Sequence, residues 1–398
     1  MANKSSNQWW GVPTDFDDRK NERKISWLEL FYDLVYVAGI GQLTRRIASY
    51  PTWQSVGSSL LLFGLIFWSW VNGSEYHDLH GGDGIRTRIL TFLQMLAVAA
   101  VAITIPEVYE GRLQGFAISF ATVQLLIIYI WWSVGLYDPS HRVFNRFYTA
   151  TYGAAFIVLL LSIFTSGQLT FLLWAIVLLL NLAAPLIVAP VVVEELNKRG
   201  QVFSASATIV ERFGVFTIIV LTESILSVVG AVSDVKDKHP MAWVVFILGI
   251  LIAFLLWSIY FDMTSEQETK KGYKYLLLLV FLHFPLMAAL SVAGACLKVL
   301  ISSLGTNLSA TVQWLFCLSI SVILLTITGI TKIMGEYKED RAYIVPVSRW
   351  LILVAILMMA IPLAGINDSI IFLGMMAVLL FIPVFIGTRI WVKHKFFS

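Results

Sequence analysis

Charged side chains are scarce in this chain. Asp, Glu, Lys and Arg make up 13 % of its 398 residues, about half the share of a soluble domain. Hydrophobic residues reach 58 % and mean hydropathy is +0.79. One water-facing core cannot hide that much apolar surface, so lipid is the expected solvent. Cysteine is nearly missing too. Cys296 and Cys317 both sit in apolar helical runs, which excludes a disulfide framework and metal-ligand spacing. They read as small buried hydrophobes. A secretory leader is not expected, because residues 1–26 are polar and no short apolar stretch precedes a small-residue cleavage site. Neither a nucleophile elbow, a phosphate-cradling glycine loop nor an HExxH helix occurs. No cofactor or metal is therefore expected. Basic residues form no stripe interleaved with aromatics, so nucleic acid is not an expected partner.

What the chain does have is long apolar runs. They lie near 27–47, 52–72, 87–106, 113–134, 147–165, 169–193, 204–230, 241–262, 274–298, 310–331, 346–363 and 368–391. Each is about the 20 residues that cross a bilayer core at about 1.5 Å per residue. The runs are continuous rather than alternating, which predicts helices, not strands. Short joints such as Gly81-Gly82-Asp83-Gly84 and Ser166-Gly167 separate them. Only Asn367 and Asp368 mark the last joint. The expected fold is all-α, a polytopic membrane protein of about twelve transmembrane helices.

Sorting Lys and Arg by side gives 21 in the terminal tails and after even-numbered helices, against six on the opposite side. That asymmetry predicts a cell-membrane protein with both termini in the cytoplasm. The net charge of +3 is then a topology signal with a weak affinity for anionic headgroups. The organisation expected is an N-terminal cytoplasmic tail over 1–26, six-helix halves over 27–193 and 204–391, a linker over 194–203 and a tail over 392–398. Three matches carry the idea of two halves: Glu29 with Glu211, Trp68-Ser69 with Trp257-Ser258, and Gln94 with His283, at offsets of 182, 189 and 189 residues. Six helices per half predict a pseudo-two-fold axis along the membrane normal. Chance matches near helix ends are the competing reading.

Ionisable groups inside apolar helices are costly, at least about 2.5 kcal/mol at mid-bilayer, and often functional. Glu29, Asp33 and Tyr36 fall on one face of the first helix at i, i+4 and i+7, with Gln42 further along. Gly39 and Gly41 would let a neighbour approach. The acids either line a pathway near its cytoplasmic mouth or pair with bases and fix packing. In the seventh helix, Glu211 and Arg212 are expected level with Glu29 and Asp33. Arg212 would neutralise one carboxylate and leave another to titrate or bind a cation. Glu223 shares a face with Arg212 and lies roughly 18 Å from Glu211 along the helix. It reads as a proton-carrying or ion-binding group, or as a protonated acid bonded to a neighbouring helix. Asn72, Glu75, His77, Asp78, His80 and Asp83 follow the second apolar run and read as a solvated cytoplasmic loop contacting the first helix. His283 precedes Phe284-Pro285, where a kink is expected. It is either a packed, satisfied side chain or a relay.

The stretch Trp27-Leu28-Glu29-Leu30-Phe31-Tyr32-Asp33-Leu34-Val35-Tyr36-Val37, with Gln42-Leu43-Thr44, resembles the opening signature of the bacterial low temperature requirement protein A family. Residues 211–226, from Glu211-Arg212-Phe213 to Thr222-Glu223-Ser224-Ile225-Leu226, are similar to its second signature. So are Tyr260-Phe261-Asp262 and His283-Phe284-Pro285-Leu286. Thr222 stands where that signature has Gly. The resemblance implies a polytopic membrane protein and leaves the substrate open. A weaker likeness joins Phe31-Tyr32-Asp33-Leu34-Val35 to the Phe-Ser-Asp segment of the endolysosomal potassium-channel family. Tyr32 replaces Ser there, and the seventh helix lacks the motif.

Two functions are therefore carried forward. The first is a channel or secondary transporter for an ion or small solute, with Glu29, Asp33, Tyr36, Gln42, Glu211, Arg212, Glu223 and His283 along its path. The second is a membrane-embedded enzyme or lipid-handling protein that uses His77 and His80 beside a headgroup. A scaffold or receptor is least specified. The expected partners are the bilayer and a small ion or solute, with oligomerisation left open.

Overall fold

The computed structural model of the chain describes Pro13 and residues 24–82, 84–137, 142–198, 200, 202–203, 205–235, 239–264, 267–335 and 338–397. Most of the expected N-terminal tail, part of the linker and Asp83 of the glycine turn lie outside the described residues. Twelve α-helices are described: α1 (Trp27–Ser49), α2 (Trp53–His80), α3 (Ile85–Tyr109), α4 (Gln114–Tyr137), α5 (Arg142–Ser162), α6 (Gln168–Lys198), α7 (Ala207–Ser233), α8 (Pro240–Thr264), α9 (Tyr273–Ser302), α10 (Ala310–Ile333), α11 (Lys338–Ala360) and α12 (Ser369–Phe397). No strand is named among the described residues; Thr269 and Met334 form one isolated antiparallel bridge. Ten of the helices are long and apolar enough to cross a membrane. The other two are α1, which carries Glu29, Asp33, Arg45 and Arg46, and α5, which opens on Arg142.

The joints follow local chemistry. Gly167 sits at φ +59° between α5 and α6, a left-handed conformation that glycine adopts without strain. Before α12, Gly365 turns the chain at φ +62°. The Asp368 carboxylate then accepts the N–H groups of Ile370 and Ile371 at 2.8 and 2.9 Å, satisfying donors that every helix start leaves open.

Three ends differ from the sequence reading. α2 runs through Asn72, Glu75, His77 and His80, so the expected wet loop is two more turns of helix. Asn72, His77 and His80 are buried and Glu75 is half-buried. α11 starts at Lys338, eight residues before the apolar run. α12 continues to Phe397 and takes in the expected C-terminal tail.

The chain divides into two compact units whose bounds do not follow the expected halves. The first holds residues 1–43, 60–212 and 271–277; the second holds 44–59, 213–270 and 278–398. In the first unit α3, α4, α5 and α6 pack in series. Phe116 and Trp174, both fully buried, meet at 4.7 Å between ring centroids. In the second unit α10 packs on α11, α11 on α12 and α12 on α8. Gly249 lets α8 approach Val228 of α7 and Ile301 of α9, leaving no space for a Cβ. Large apolar side chains such as Leu179, Ile247, Phe254 and Val378 point outward, as expected of helices solvated by lipid.

Glycine also fixes the contact between α1 and α2. A Cβ at Gly73 would collide with the Tyr32 hydroxyl, whereas one at Gly57 of the same helix meets nothing within 4 Å. Gly73→Val should therefore destabilise by about 1–3 kcal/mol through overpacking. Gly57→Ala should be neutral or gain about 0.5–1 kcal/mol. Thermal unfolding of the detergent-solubilised protein checks the pair, and equal melting temperatures for both variants would contradict this packing.

Candidate functional site

The charges of α1 begin at its first turn. Ser26 Oγ accepts the Glu29 backbone N–H at 3.3 Å and donates to Glu29 Oε1 at 3.0 Å. This is a capping arrangement that places an acid at the positive end of the helix dipole. One turn on, Asp33 is fully buried. Its Oδ1 accepts from Arg212 Nη2 at 2.6 Å and from Trp70 Nε1 at 2.7 Å. Arg212 stands in the second turn of α7 and belongs to the same unit as Asp33. Its Nη1 lies 3.9 Å from Glu29 Oε2 and reaches the Ser74 carbonyl at 3.4 Å. The Tyr32 ring lies 5.9 Å from the guanidinium carbon.

Two acids thus share one arginine. The hydrogen bonding of the pair is incomplete: Asp33 Oδ2 and Arg212 Nε are buried without a hydrogen-bond partner among the described residues. Buried polar atoms are paired in the great majority of cases, and exceptions call for an explanation.

A second polar chain runs beside this pair. The Tyr32 and Tyr36 hydroxyls are 2.8 Å apart, and Ser69 Oγ donates to Tyr36 at 3.4 Å. The His77 ring lies 5.6 Å from that of Tyr32. Its Nδ1 contacts the Gly73 carbonyl at 2.6 Å, so that nitrogen must donate. Its Nε2 is 2.8 Å from Thr91 Oγ1, which is also 2.7 Å from the Thr87 carbonyl. Thr91 has one proton for two acceptors. A cavity of about 510 Å³ opens beside these groups, lined by Ser26, Glu29, His77, Gly81, Thr87 and Arg88 among others.

The structure brings together Glu29, Asp33, Tyr36 and Arg212, and leaves other expected residues apart. Glu211 is exposed, next to Arg212 but on another face of α7. Gln42 is half-buried, nine residues beyond Asp33 and so about 13 Å along α1. In the second unit, Glu223 is 7 % exposed and the charge acting on it is that of Arg45. His283 is packed and satisfied. Nδ1 donates to the Leu279 carbonyl at 2.7 Å, Nε2 meets the Tyr260 hydroxyl at 3.0 Å, and the Phe213 ring lies at 4.4 Å. α9 continues through Pro285.

The pattern that defines the bacterial low temperature requirement A protein (LtrA) matches residues 24–385, from the turn before Glu29 to α12. The chain belongs to the LtrA family. With its apolar helices, that makes it a multi-pass membrane protein. It is also similar to an uncharacterized protein of Rhizobium meliloti (strain 1021), at 23 % identity over 261 residues. That match covers 64 % of this chain and 62 % of the relative, so the chain spans less than two thirds of the relative's length. No solved structure matches it.

In this LtrA protein the sequence reading missed Trp70, Ser74 and Thr91, and it placed His77 on a wet loop rather than in α2. A signal for part of them was present: Trp70, Gly73, Ser74 and His77 recur at helical spacing across the point where hydropathy falls. Removing one partner of a buried pair costs about 3–5 kcal/mol, because it strands the other charge. Arg212→Gln should lower stability by that amount, and adding Asp33→Asn should restore more than half of it. Thermal unfolding in one detergent compares the variants, and a double variant no more stable than Arg212→Gln would refute the coupling.

Proposed function

We propose that this LtrA protein is a membrane transport protein, a channel or secondary transporter for an ion or small solute. One observation carries the reading: the fully buried Asp33 carboxylate, paired with Arg212 through one oxygen, keeps its other oxygen without a hydrogen-bond partner among the described residues, beside a cavity that reaches Glu29 and His77. A pair needed only for packing would be satisfied at every polar atom, since an unpartnered buried polar atom is destabilising. An open carboxylate oxygen is a place where a proton or a cation binds in exchange for solvent. Glu29 and His77 sit at the mouth in this reading, Asp33 and Arg212 form the inner site, and the Tyr32–Tyr36–Ser69 hydroxyls extend it. Glu223 and His283 are further polar stations in the second unit.

The same proposal takes all twelve helices as spans, arranged as two six-helix halves about a pseudo-two-fold axis. Both termini are placed in the cytoplasm of a cell-membrane protein by the excess of Lys and Arg. The cavity, between the start of α1 and the end of α2, then opens on the cytoplasmic side. The alternative of an enzyme acting on lipid headgroups loses its main support, because His77 and His80 are buried in α2 rather than presented on a wet loop.

Reconstitution in liposomes tests the reading by flux of protons, potassium and small organic solutes. Wild-type protein should conduct at least one of them. Glu29→Gln and Asp33→Asn should each reduce that flux at least about tenfold, the loss of one ion-binding interaction of about 1.4 kcal/mol. Glu211→Gln, at an exposed position, should leave it unchanged. An absence of flux for every species, with folded protein in the vesicles, would overturn the proposal.

A further inference from the structure

A second acid of α2 lies in a different setting. Glu75 lines a cavity of about 60 Å³ with Trp131, Asn145, Tyr148, Phe203 and Tyr273, and all of these residues belong to the first unit. On the same measure one water needs about 10–15 Å³, so the space exceeds a single water. The walls are aromatic and ordered. Trp131 and Tyr148 stack at 5.0 Å with their planes 17° apart. The Tyr148 and Tyr273 hydroxyls lie 3.2 Å apart, and Phe203 meets Tyr273 edge-on at 5.6 Å. Trp131 is held from behind, its Nε1 donating to Asn72 at 3.3 Å.

Glu75 makes no hydrogen bond or ion pair with any described residue; the charge acting on it is that of Asp78, of the same sign. Asn145, 4 % exposed, lines the same cavity with its Nδ2 unpartnered. A carboxylate without a partner among the described residues and an unpartnered amide thus line one cavity with aromatic walls. The geometry points to a binding site for a small organic cation, an ammonium head whose charge faces Glu75 and whose alkyl groups pack on Trp131, Tyr148 and Tyr273. Aromatic faces attract such cations and their alkyl surface together. A bare alkali ion fits less well, since it needs a shell of oxygens and two of the hydroxyls here are engaged with each other. The Asn145 amide is placed to bond an oxygen on the same ligand, as in an amino alcohol. Such an ammonium reaches the site either as a free amine or as a lipid headgroup.

Binding to the purified full chain tests this at equilibrium and does not depend on flux, so it can fail or succeed independently of the transport reading. In detergent, tetramethylammonium, choline and ethanolamine are titrated against Trp fluorescence and melting temperature, with potassium and the uncharged choline isostere 3,3-dimethylbutanol as controls. In nanodiscs, bilayers with and without phosphatidylethanolamine or phosphatidylcholine separate the two sources. Saturable binding of a soluble ammonium identifies a free amine as the ligand. A response only to ammonium-headed lipid identifies the headgroup, and either result supports the site. Glu75→Gln should weaken binding at least about tenfold, as should removal of the ligand's charge in the isostere. Tyr273→Leu is a second variant that leaves the carboxylate in place, and it should weaken ammonium binding in protein shown to be folded by a cooperative melting transition. The assignment is overturned if no ammonium binds the folded wild type in either format. It is equally overturned if the isostere binds as well as choline, or if Glu75→Gln and Tyr273→Leu both bind like wild type.

Discussion

The ion pair between Asp33 and Arg212 sets the terms for the first unit. Moving either charge from water to an apolar interior costs on the order of 20 kcal/mol in the idealised limit, and several kcal/mol after relaxation. Both side chains are fully buried here, so the contact at 2.6 Å must form for the surrounding elements to pack at all. It ties the second turn of α7 to the second turn of α1. Trp70 adds a donor to the same carboxylate oxygen from α2, and Gly73 clears the space that Tyr32 needs beside the guanidinium. Four side chains from three helices and one glycine therefore answer to a single electrostatic requirement.

That requirement is met incompletely, and the shortfall is informative. Nature can often replace a buried ion pair with apolar residues at little cost or with a gain. Retaining one, and then leaving Asp33 Oδ2 without a hydrogen-bond partner among the described residues, works against stability. Such departures from full satisfaction concentrate at functional sites. The His77–Thr91 contact adds a position where one proton is shared among competing acceptors. Together they are what supports the proposal that this region changes its protonation or ion content rather than only holding helices together.

Much of this was legible from the chain itself. Glu29, Asp33, Tyr36 and Arg212 stand out because lipid does not tolerate them, and helical spacing puts the first three on one face. That Arg212 neutralises a carboxylate follows from opposite charges that each need a partner; that the carboxylate is Asp33 comes from the structure. Glu211 shows the limit of that reasoning: adjacent in sequence to Arg212, it points about 100° away around the helix and is exposed. The larger miss was the end of α2. Hydropathy falls after Asn72, and a run of Asn, Glu, His and Asp reads as water-facing when lipid is the only alternative considered.

The third alternative is protein. Of the candidate spans α2 is the most enclosed, with 78 % of its apolar window buried. A helix surrounded by other helices has no lipid face, so polar residues can occupy its whole circumference provided each finds a partner. On α2, His77 turns toward Thr91 and the Glu29 cavity, while Glu75, about 200° away around the helix, turns toward Trp131 and Tyr148. Asn72 bonds Trp131 on the latter side and Trp70 bonds Asp33 on the former. The final two turns of α2 thus separate two unlike polar environments, one charged and one aromatic. A substitution that rotates or unwinds those turns acts on both at once. Their functions can be separated only by changes confined to one face, which is why Glu75 and Glu29 are independent probes although both sit at helix ends in the same unit.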